Sequence, residues 1–275
     1  MDKFNREKLE LLLDNDVVIK NLHGNLKEKE RIQEIFKNNG KSVLNLTYSE
    51  FKRSVLKDLV AFFNDLVDFI DAKNISNFKS QIKVLNDFIL GYKKNYGLNA
   101  KGRYISYIIM IFDNIFNHMD NLSLDSPLEI TLDFIKNQIL DYKEIYFYDF
   151  KFIEDLINCP HAELEPIMDR NIFGRLNFSC KDCEKDKIEN ILNIFQKEID
   201  SILKSSISNP LIETLSYIIE LDNLENLNGR KHICLNLTDL LLILNCPNGY
   251  TIFTSNYSHF NEICELLNKS IIYLK

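Results

Sequence analysis

Residues 235–260, LNLTDLLLILNCPNGYTIFTSNYSHF, place the strongest constraint on the fold of this chain. Asp239 begins an apolar run typical of a buried helix, the sequence PNG predicts a turn, and TIFT predicts a strand. That strand ends on a polar tip that includes Asn256. His259 is expected to be a surface residue near the strand edge, and the alternative is a residue that helps to orient a phosphate. Ligands of open α/β sheets bind beyond the carboxyl ends of the strands, so the segment predicts a site at that edge.

Two earlier segments repeat the pattern of an apolar strand that gives way to a helix at an acidic residue. In LLLDNDVVI, residues 11–19, the apolar run stops at Asp14 and Asp16, although one continuous helix over residues 5–22 is an alternative interpretation. In SVLNLTYSEF, residues 42–51, an alternating segment leads to Glu50 at the start of a long helix. Together the segments predict an α/β fold.

Most of the remaining chain is predicted to be helical, with apolar residues at three- and four-residue spacing. Residues 145–157 are rich in aromatic side chains and fit either a strand or a helix. Residues 209–210, Asn-Pro, are expected to cap a helix. The predicted helices cover residues 27–36, 77–92, 103–118, 128–142, 187–203 and 210–221.

Composition and missing motifs exclude several classes of protein. With 45% apolar residues the chain can build a substantial core, and a net charge of −7 excludes a generally basic nucleic-acid coat protein. The sequence has no GxGxxG, GxxxxGK[ST], GxSxG or HExxH motif. It has neither an apolar stretch of membrane-spanning length nor a signal-peptide core, so we expect a cytoplasmic protein without a membrane partner.

A cluster of cysteine and histidine residues predicts a structural zinc site. Cys159 and His161 precede a CxxC pair formed by Cys180 and Cys183, and thiolate and imidazole ligands suit tetrahedral zinc. The alternative is a buried cysteine followed by an incidental surface pair. The other cysteines are expected to be reduced core thiols: Cys234, Cys246 and Cys264.

The acidic residues at the predicted strand ends have two interpretations. A lone acid where a strand meets a helix is usually an N-cap or first-turn residue. If the junctions converge, however, Asp14, Asp16, Glu50 and Asp239 share one site, and their mutual repulsion requires a bound cation. Oxygen ligands select magnesium or manganese, which activate water for phosphodiester cleavage.

The same segments resemble the PIN-domain family of metal-dependent nucleases. LLLDNDVVI is similar to the family's opening strand, SVLNLTYSEF to its second motif, and LNLTDLLLIL with YTIFTSNYSHF to its closing pair. The resemblance implies Asp14, Glu50 and Asp239 as catalytic, metal-binding acids, with Asp16 able to substitute for Asp14. Asn256 stands where a fourth acid or amide often sits, and it cannot supply a full charge.

The resemblance also implies a domain organisation and a fold. It predicts a PIN-like three-layer α/β fold with a short parallel sheet, made strongly α-rich by a helical insertion. Residues 1–61 and 229–275 would form the nuclease core, and residues 62–228 the insertion that carries the Cys/His cluster.

Two functions follow from these expectations. The first is a PIN-like endoribonuclease that uses Mg²⁺ or Mn²⁺ on single-stranded RNA, in a family that includes toxins held by an antitoxin and effectors of defence systems. The second is a non-catalytic helical binding module stapled by zinc, in which the acids are helix caps. The two hypotheses differ over whether the acids meet.

Clusters of basic and aromatic residues predict where RNA could lie. Such mixtures suit single-stranded nucleic acid, since bases stack on the rings and phosphates pair with the cations. Solvated helix ends are the alternative for each cluster, and residues 95–103 are the strongest of them. The clusters are Lys52 with Arg53, Lys93 and Lys94 with Tyr92 and Tyr96, and residues 101–104.

Overall fold

The chain divides into two compact units. The computed structural model describes residues 8–73, 75, 78–95, 126–154, 164–174, 176, 190, 192–220 and 231–275. The first unit comprises Met1–Arg53, Asp149–Leu164 and Asn177–Lys275, and the second comprises Ser54–Tyr148 and Glu165–Leu176. This division falls at other residues than the predicted limits of the insertion, 62 and 228.

The first unit contains a five-stranded parallel sheet, which confirms the α/β class. The strand order is β3-β2-β1-β6-β7, and every neighbouring pair is parallel. The strand predicted near residues 9–13 is confirmed, so the alternative of one helix through this region is wrong. The strands are β1 (Glu10–Leu13), β2 (Gly40–Leu44), β3 (Lys151–Ile153), β4 (Met168–Asp169), β5 (Ile172–Phe173), β6 (Tyr250–Thr254) and β7 (Ser270–Tyr273).

Helices account for most of the described residues. In chain order they are α1 (Asn15–His23), α2 (Leu26–Phe36), α3 (Asn45–Phe51), a π-helix (Lys52–Leu56), α4 (Lys57–Asp71), α5 (Phe78–Asn95), α6 (Pro127–Leu140), α7 (Tyr142–Tyr146), α8 (Gln196–Leu203), α9 (Pro210–Glu220), α10 (Lys231–Leu244) and α11 (Tyr257–Leu266). The helix predicted over residues 103–118 lies outside the described residues.

Helices pack against both faces of the sheet. On one face, Leu12 and Ile252 are neighbours in register and join a core cluster with residues of α8, α9, α10 and α11. On the other face, Phe253 makes an edge-to-face contact with Phe36 of α2, with ring centroids 6.1 Å apart. Burial on both faces explains the uninterrupted apolar run Leu11–Leu13 of β1, since all three side chains are fully buried.

Short polar interactions fix the ends of two helices. At the start of α2, Asn25 and Glu28 form a reciprocal capping box. The predicted cap of α9 is confirmed, since the Asn209 side chain accepts a hydrogen bond from the Leu211 N–H at 2.9 Å. These caps satisfy backbone groups that the helices leave unpaired.

The second unit is a helical cluster with a short hairpin. Strands β4 and β5 pair antiparallel, and the Asn64 side chain of α4 forms two hydrogen bonds with the backbone of Phe173. The rings of Phe63 and Phe173 meet at 5.1 Å, and those of Phe62 and Phe88 at 5.4 Å. Aromatic packing therefore joins α4 to α5 and to the hairpin.

Two predicted helix starts are wrong, and both errors concern functional residues. Strand β2 ends at Leu44 and α3 begins at Asn45, so Glu50 lies inside a helix. Apolar and polar residues alternate in this segment, which suggested a strand. The buried residues Thr47 and Phe51 are instead four residues apart, as on one face of a helix. Similarly, α10 begins at Lys231, which places Asp239 in the helix interior.

A search of the described residues for helices that are long and apolar enough to cross a membrane gives no such helix.

The turn before β6 provides a test of the fold. Gly249 has a φ of 85°, a conformation that side-chain-bearing residues rarely adopt. We expect Gly249→Ala to destabilise the protein by about 1–2 kcal/mol, measured by chemical denaturation. Gly91 of α5 is the matched control, because open space surrounds its Cα and Gly91→Ala should stabilise its helix by about 0.5–1 kcal/mol. Equal effects of the two substitutions would contradict this account of the turn.

Candidate functional site

The strand order creates a crevice between the carboxyl ends of β1 and β6. From β1 the chain crosses over to β2 on one side, whereas from β6 it crosses to β7 on the other side. At such a switch point the two connections leave the sheet in opposite directions and open a gap between them, which is the usual binding site of a parallel sheet. Asp14 follows β1, and Ser255 follows β6, at this point.

Asp14 is fixed by the strand next to its own. Its N–H donates to the carbonyl oxygen of Phe253 at 3.0 Å, which extends the pairing of β1 with β6 by one residue. Its Oδ2 accepts a hydrogen bond from Thr254 Oγ1 at 2.6 Å, and Thr254 Oγ1 in turn accepts from the N–H of Asn256 at 3.0 Å. Asp14 occupies the N-cap position of α1, yet its side chain makes no capping hydrogen bond. Its carboxylate is therefore bonded to the neighbouring strand rather than to its own helix.

The charge on Asp14 is strongly disfavoured. Burial raises the pKa of this carboxyl well above its ordinary value, and the negative charges of Asp239, Asp16 and Glu50 raise it further. The hydrogen bond from Thr254 opposes the increase. Asp239, Asp16 and Glu50, from separate parts of the chain, therefore lie near enough to Asp14 to oppose its negative charge.

Asp239 and His259 form a hydrogen-bonded pair between α10 and α11. His259 Nδ1 lies 2.8 Å from Asp239 Oδ2, and the two side chains are 25% and 18% exposed. This hydrogen bond, together with the charge of Asp239, raises the pKa of His259. Burial raises the pKa of Asp239, and the contact with His259 moderates that increase. A histidine with a raised pKa is more fully protonated near neutral pH, so the pair presents a positively charged donor beside the other acids.

Hydroxyl groups hold two further carboxylates of the cluster. The hydroxyl of Thr238 of α10 lies within hydrogen-bond reach of Glu50 Oε1 of α3 and of the carbonyl oxygen of Leu235 (2.7 Å), and its single proton serves one of the two at a time. Ser255 Oγ lies 3.5 Å from Oδ2 of Asp16, whose side chain is exposed. The residues after β1 and β6 and the facing helices α3 and α10 thus each contribute to one polar cluster.

The structure brings together the predicted acids Asp14, Asp16, Glu50 and Asp239, but by a different route from the one expected. The sequence analysis placed all of them at strand-to-helix junctions. Only the first two follow a strand, while Glu50 and Asp239 project from helix interiors.

The pairing of His259 with Asp239 was not predicted. His259 was expected at the surface near a strand edge, whereas it lies on α11 and is partly buried against Asp239. The sequence held one indication of this position. His259 follows Asn256 by three residues, and residues three apart on a helix lie on the same side, here the side of the strand tip.

Asn256 has a local role in the described structure. It is the N-cap residue of α11, and its Oδ1 accepts a hydrogen bond from Ser258 Oγ at 3.2 Å. Among the described contacts, none joins its side chain to the four acids. The predicted part of Asn256 in the site therefore has no geometric support.

The predicted zinc ligands lie outside the described residues: Cys159, His161, Cys180 and Cys183. Two of the predicted core thiols are confirmed, since Cys246 and Cys264 are buried and free. Burial raises the pKa of Cys246 to about 11 and that of Cys264 to about 12, so both thiols are protonated at neutral pH. The side chain of Cys234 is not among those described.

The predicted nucleic-acid contact at Lys52 is wrong. Lys52 is fully buried, its Nζ donates to the carbonyl oxygen of Leu164 at 2.7 Å, and it lies 4.6 Å from the ring centroid of Tyr48. A lysine held in this way stabilises the interior and cannot reach a phosphate. The side chains of residues 92–95 and all of residues 96–104 lie outside the described part of the structure.

The donor chemistry of the cluster fits a hard divalent cation. The four carboxylates carry oxygen atoms of the kind that such a cation prefers, and the amide Oδ1 of Asn15, between Asp14 and Asp16, is buried without a hydrogen-bond partner in the described structure. Within the described ranges, however, no group of three or more His, Cys, Asp or Glu side chains is arranged to hold a metal ion. Hydrogen bonds to Thr254, His259 and Thr238 instead engage one oxygen each of Asp14, Asp239 and Glu50.

Comparisons with protein-family models, with curated proteins and with solved structures give no match for this chain. The resemblance to the PIN-domain family therefore stays a prediction from the sequence.

The buried charge at Asp14 predicts a stabilising substitution. Asn at this position keeps an acceptor for Thr254 and removes a desolvated charge that faces three other acids. In metal-free buffer we expect Asp14→Asn to stabilise the protein at neutral pH by about 0.5–2 kcal/mol, measured by chemical denaturation.

The pH dependence of this gain follows from the raised pKa. The folded protein holds the Asp14 proton to higher pH than the unfolded chain, so wild-type stability falls as pH rises from about 4 to the raised folded pKa. The advantage of Asp14→Asn should therefore be absent below about pH 4, grow through this window and level off above it. A variant that is less stable than wild type at neutral pH would contradict the electrostatic account.

Proposed function

We propose that this protein is a PIN-like, metal-dependent nuclease that hydrolyses phosphodiester bonds in single-stranded RNA. The observation that carries the proposal is the convergence of Asp14, Asp16, Glu50 and Asp239 beside the carboxyl ends of β1 and β6. The PIN-like assignment is supported by the sequence motifs around these acids and by the parallel sheet at whose edge they lie.

The energetics of the cluster also support the proposal. A carboxylate whose pKa is raised by burial and by three other acids destabilises the folded protein at neutral pH. Perturbed acids of this kind are concentrated at functional sites, where a cation or a substrate compensates the repulsion. A bound Mg²⁺ or Mn²⁺ would activate water and stabilise the leaving oxygen.

Each residue has a distinct task in this proposal. Asp14, Asp16 and Glu50 would hold the cation, with Thr254 and Thr238 fixing the directions of the first and last of these carboxylates. Asp239 would contribute its charge while keeping His259 oriented through Nδ1. The protonated imidazole then offers a positive hydrogen-bond donor to a phosphate oxygen.

The alternative of a non-catalytic, zinc-stapled binding module requires the acids to be helix caps. Glu50 and Asp239 lie inside helices, and Asp14 makes no side-chain capping bond. The local geometry therefore favours the cluster over the caps as the reason for these residues.

Cation binding can be tested through thermal stability. A ligand that binds only the folded state stabilises it by about 2.7 kcal/mol at a concentration of 100 times its Kd. Millimolar Mg²⁺ or Mn²⁺ should therefore raise the Tm of the wild-type protein by several degrees. Asp14→Asn should show a clearly smaller increase, and an equal increase in both proteins would contradict binding at the cluster.

Catalysis can be tested with Asp239→Asn, using a labelled single-stranded RNA and Mg²⁺ or Mn²⁺. We expect cleavage to fall by at least ~100-fold, because the variant loses a charge of the cluster and the partner that orients His259. Circular dichroism and the Tm should remain close to those of the wild type. Asp200→Asn is the matched control, since Asp200 is an exposed aspartate of α8, and its activity should be unchanged. Retained cleavage by Asp239→Asn would exclude the proposed site.

A further inference from the structure

Tyr257 and Tyr273 form an aromatic pair at the carboxyl ends of β6 and β7, and Tyr257 is the exposed member. Tyr257, the first residue of α11, is 57% exposed, and its ring centroid lies 4.5 Å from that of Tyr273 at an interplanar angle of 57°. An exposed ring supported from one side by a second ring leaves its own outer face available to another flat group.

The register of the sheet fixes where this surface lies. Tyr273 of β7 is the register partner of Thr254 of β6, and the Thr254 hydroxyl donates to Asp14 beyond β1. These side chains stand on the same face of three adjacent strands. With neighbouring strands about 4.8 Å apart, the backbones at Asp14 and Tyr273 are separated by about 10 Å. A ligand of nucleotide size can span the two positions.

The ring of Tyr273 is held in place by a hydrogen bond. The Tyr273 hydroxyl bonds to Asn261 Oδ1 at 3.2 Å. Burial, with smaller contributions from Cys264 and Tyr257, raises the pKa of Tyr273 to about 12, so this hydroxyl stays protonated at neutral pH. Tyr273 is thus a fixed support, and Tyr257 is the ring that faces solvent.

Positive charge lies at the same edge of the sheet. The Leu274 N–H donates to the carbonyl oxygen of Thr254 at 2.9 Å, which continues the ladder of β7 toward Lys275. The exposed Arg31 donates from Nη1 to the carbonyl oxygen of Lys275 at 2.8 Å. Two exposed basic residues, Arg31 and Lys275, therefore lie beyond the carboxyl end of β7, although the net charge of the chain is −7. Rings beside basic groups are the combination that single-stranded nucleic acid requires.

We propose that Tyr257, supported by Tyr273, is a stacking platform for a base of single-stranded RNA whose neighbouring phosphate lies at the carboxylate cluster. The inference rests on the proposed function for the identity of the substrate. It adds a positioning residue that the carboxylates alone do not provide. Stacking is tolerant of base identity, so the platform selects unpaired bases over paired ones rather than one sequence over another.

Binding can be measured without cleavage. The assay is fluorescence anisotropy of a labelled single-stranded RNA of about ten nucleotides in buffer containing EDTA, with a hairpin duplex RNA as comparison. Loss of one base stack weakens binding by about 5- to 150-fold, so we expect a loss in this range for Tyr257→Leu on single-stranded RNA. Tyr257→Phe, which keeps the ring, should bind within about twofold of the wild type. Duplex binding should change by less than about twofold in both variants.

Tyr250 provides the matched control. It lies on the same strand as Thr254 but at the amino end of β6, at the opposite edge of the sheet. Tyr250→Leu should therefore leave RNA binding unchanged, provided that its Tm shows a folded protein. A 2-aminopurine base in the RNA supplies a second readout, since stacking quenches its fluorescence with the wild type and Tyr257→Phe but not with Tyr257→Leu.

The platform and the nuclease proposal fail in different ways. If Tyr257→Leu binds single-stranded RNA as tightly as the wild type, if Tyr250→Leu loses as much affinity, or if the wild type binds no RNA, the platform is wrong. If binding and quenching follow the ring at position 257 but Mg²⁺ and Mn²⁺ support no cleavage, the platform stands and the nuclease proposal is wrong.

Discussion

The pairing of β1 with β6 is the interaction on which the rest of the site depends. It places Leu13 beside Phe253, and the next step of the ladder joins the Asp14 N–H to the Phe253 carbonyl. Parallel pairing between such distant segments closes a very long loop. The entropy lost on closing that loop has to be offset by the contacts that the pairing makes. Once it forms, α1 and α11 start at the same edge of the sheet, and the residues that begin them face one crevice. Strand register brings Asp14 beside Thr254, whereas Glu50 and Asp239 reach the cluster from helices.

This register has an energetic cost at Asp14. Burial and three neighbouring acids oppose its ionisation, and a single hydrogen bond from Thr254 partly offsets them. The core beneath the cluster can bear that cost, because Leu12 and Ile252 are fully buried and each such side chain contributes about 1.5–3 kcal/mol. A well-packed parallel sheet thus tolerates a strained polar edge. In this α/β arrangement the apolar core lies in the strands, and the charged residues lie just beyond the strand ends.

The sequence was sufficient to predict the strands that end at Leu13 and Thr254, because apolar runs bounded by polar residues are strong local signals. It was insufficient to place Glu50 and Asp239, since a helix that begins several residues earlier produces almost the same local pattern. It also missed the pairing of His259 with Asp239, which depends on how α10 packs against α11. Local composition determines which elements form, whereas long-range packing determines which polar side chains meet.

The geometry of Asp14 differs from that of a capping aspartate. A capping aspartate accepts hydrogen bonds from the first N–H groups of its own helix and gains stability from the helix dipole. Asp14 stands at the N-cap position of α1 but directs its carboxylate sideways to Thr254 on the next strand. Serine, threonine or asparagine could cap α1 without a buried charge. Folding alone gives no reason for an acid at this position, and the other acids gathered around it make the charge more costly still. In the proposed function, a bound cation would compensate this negative charge.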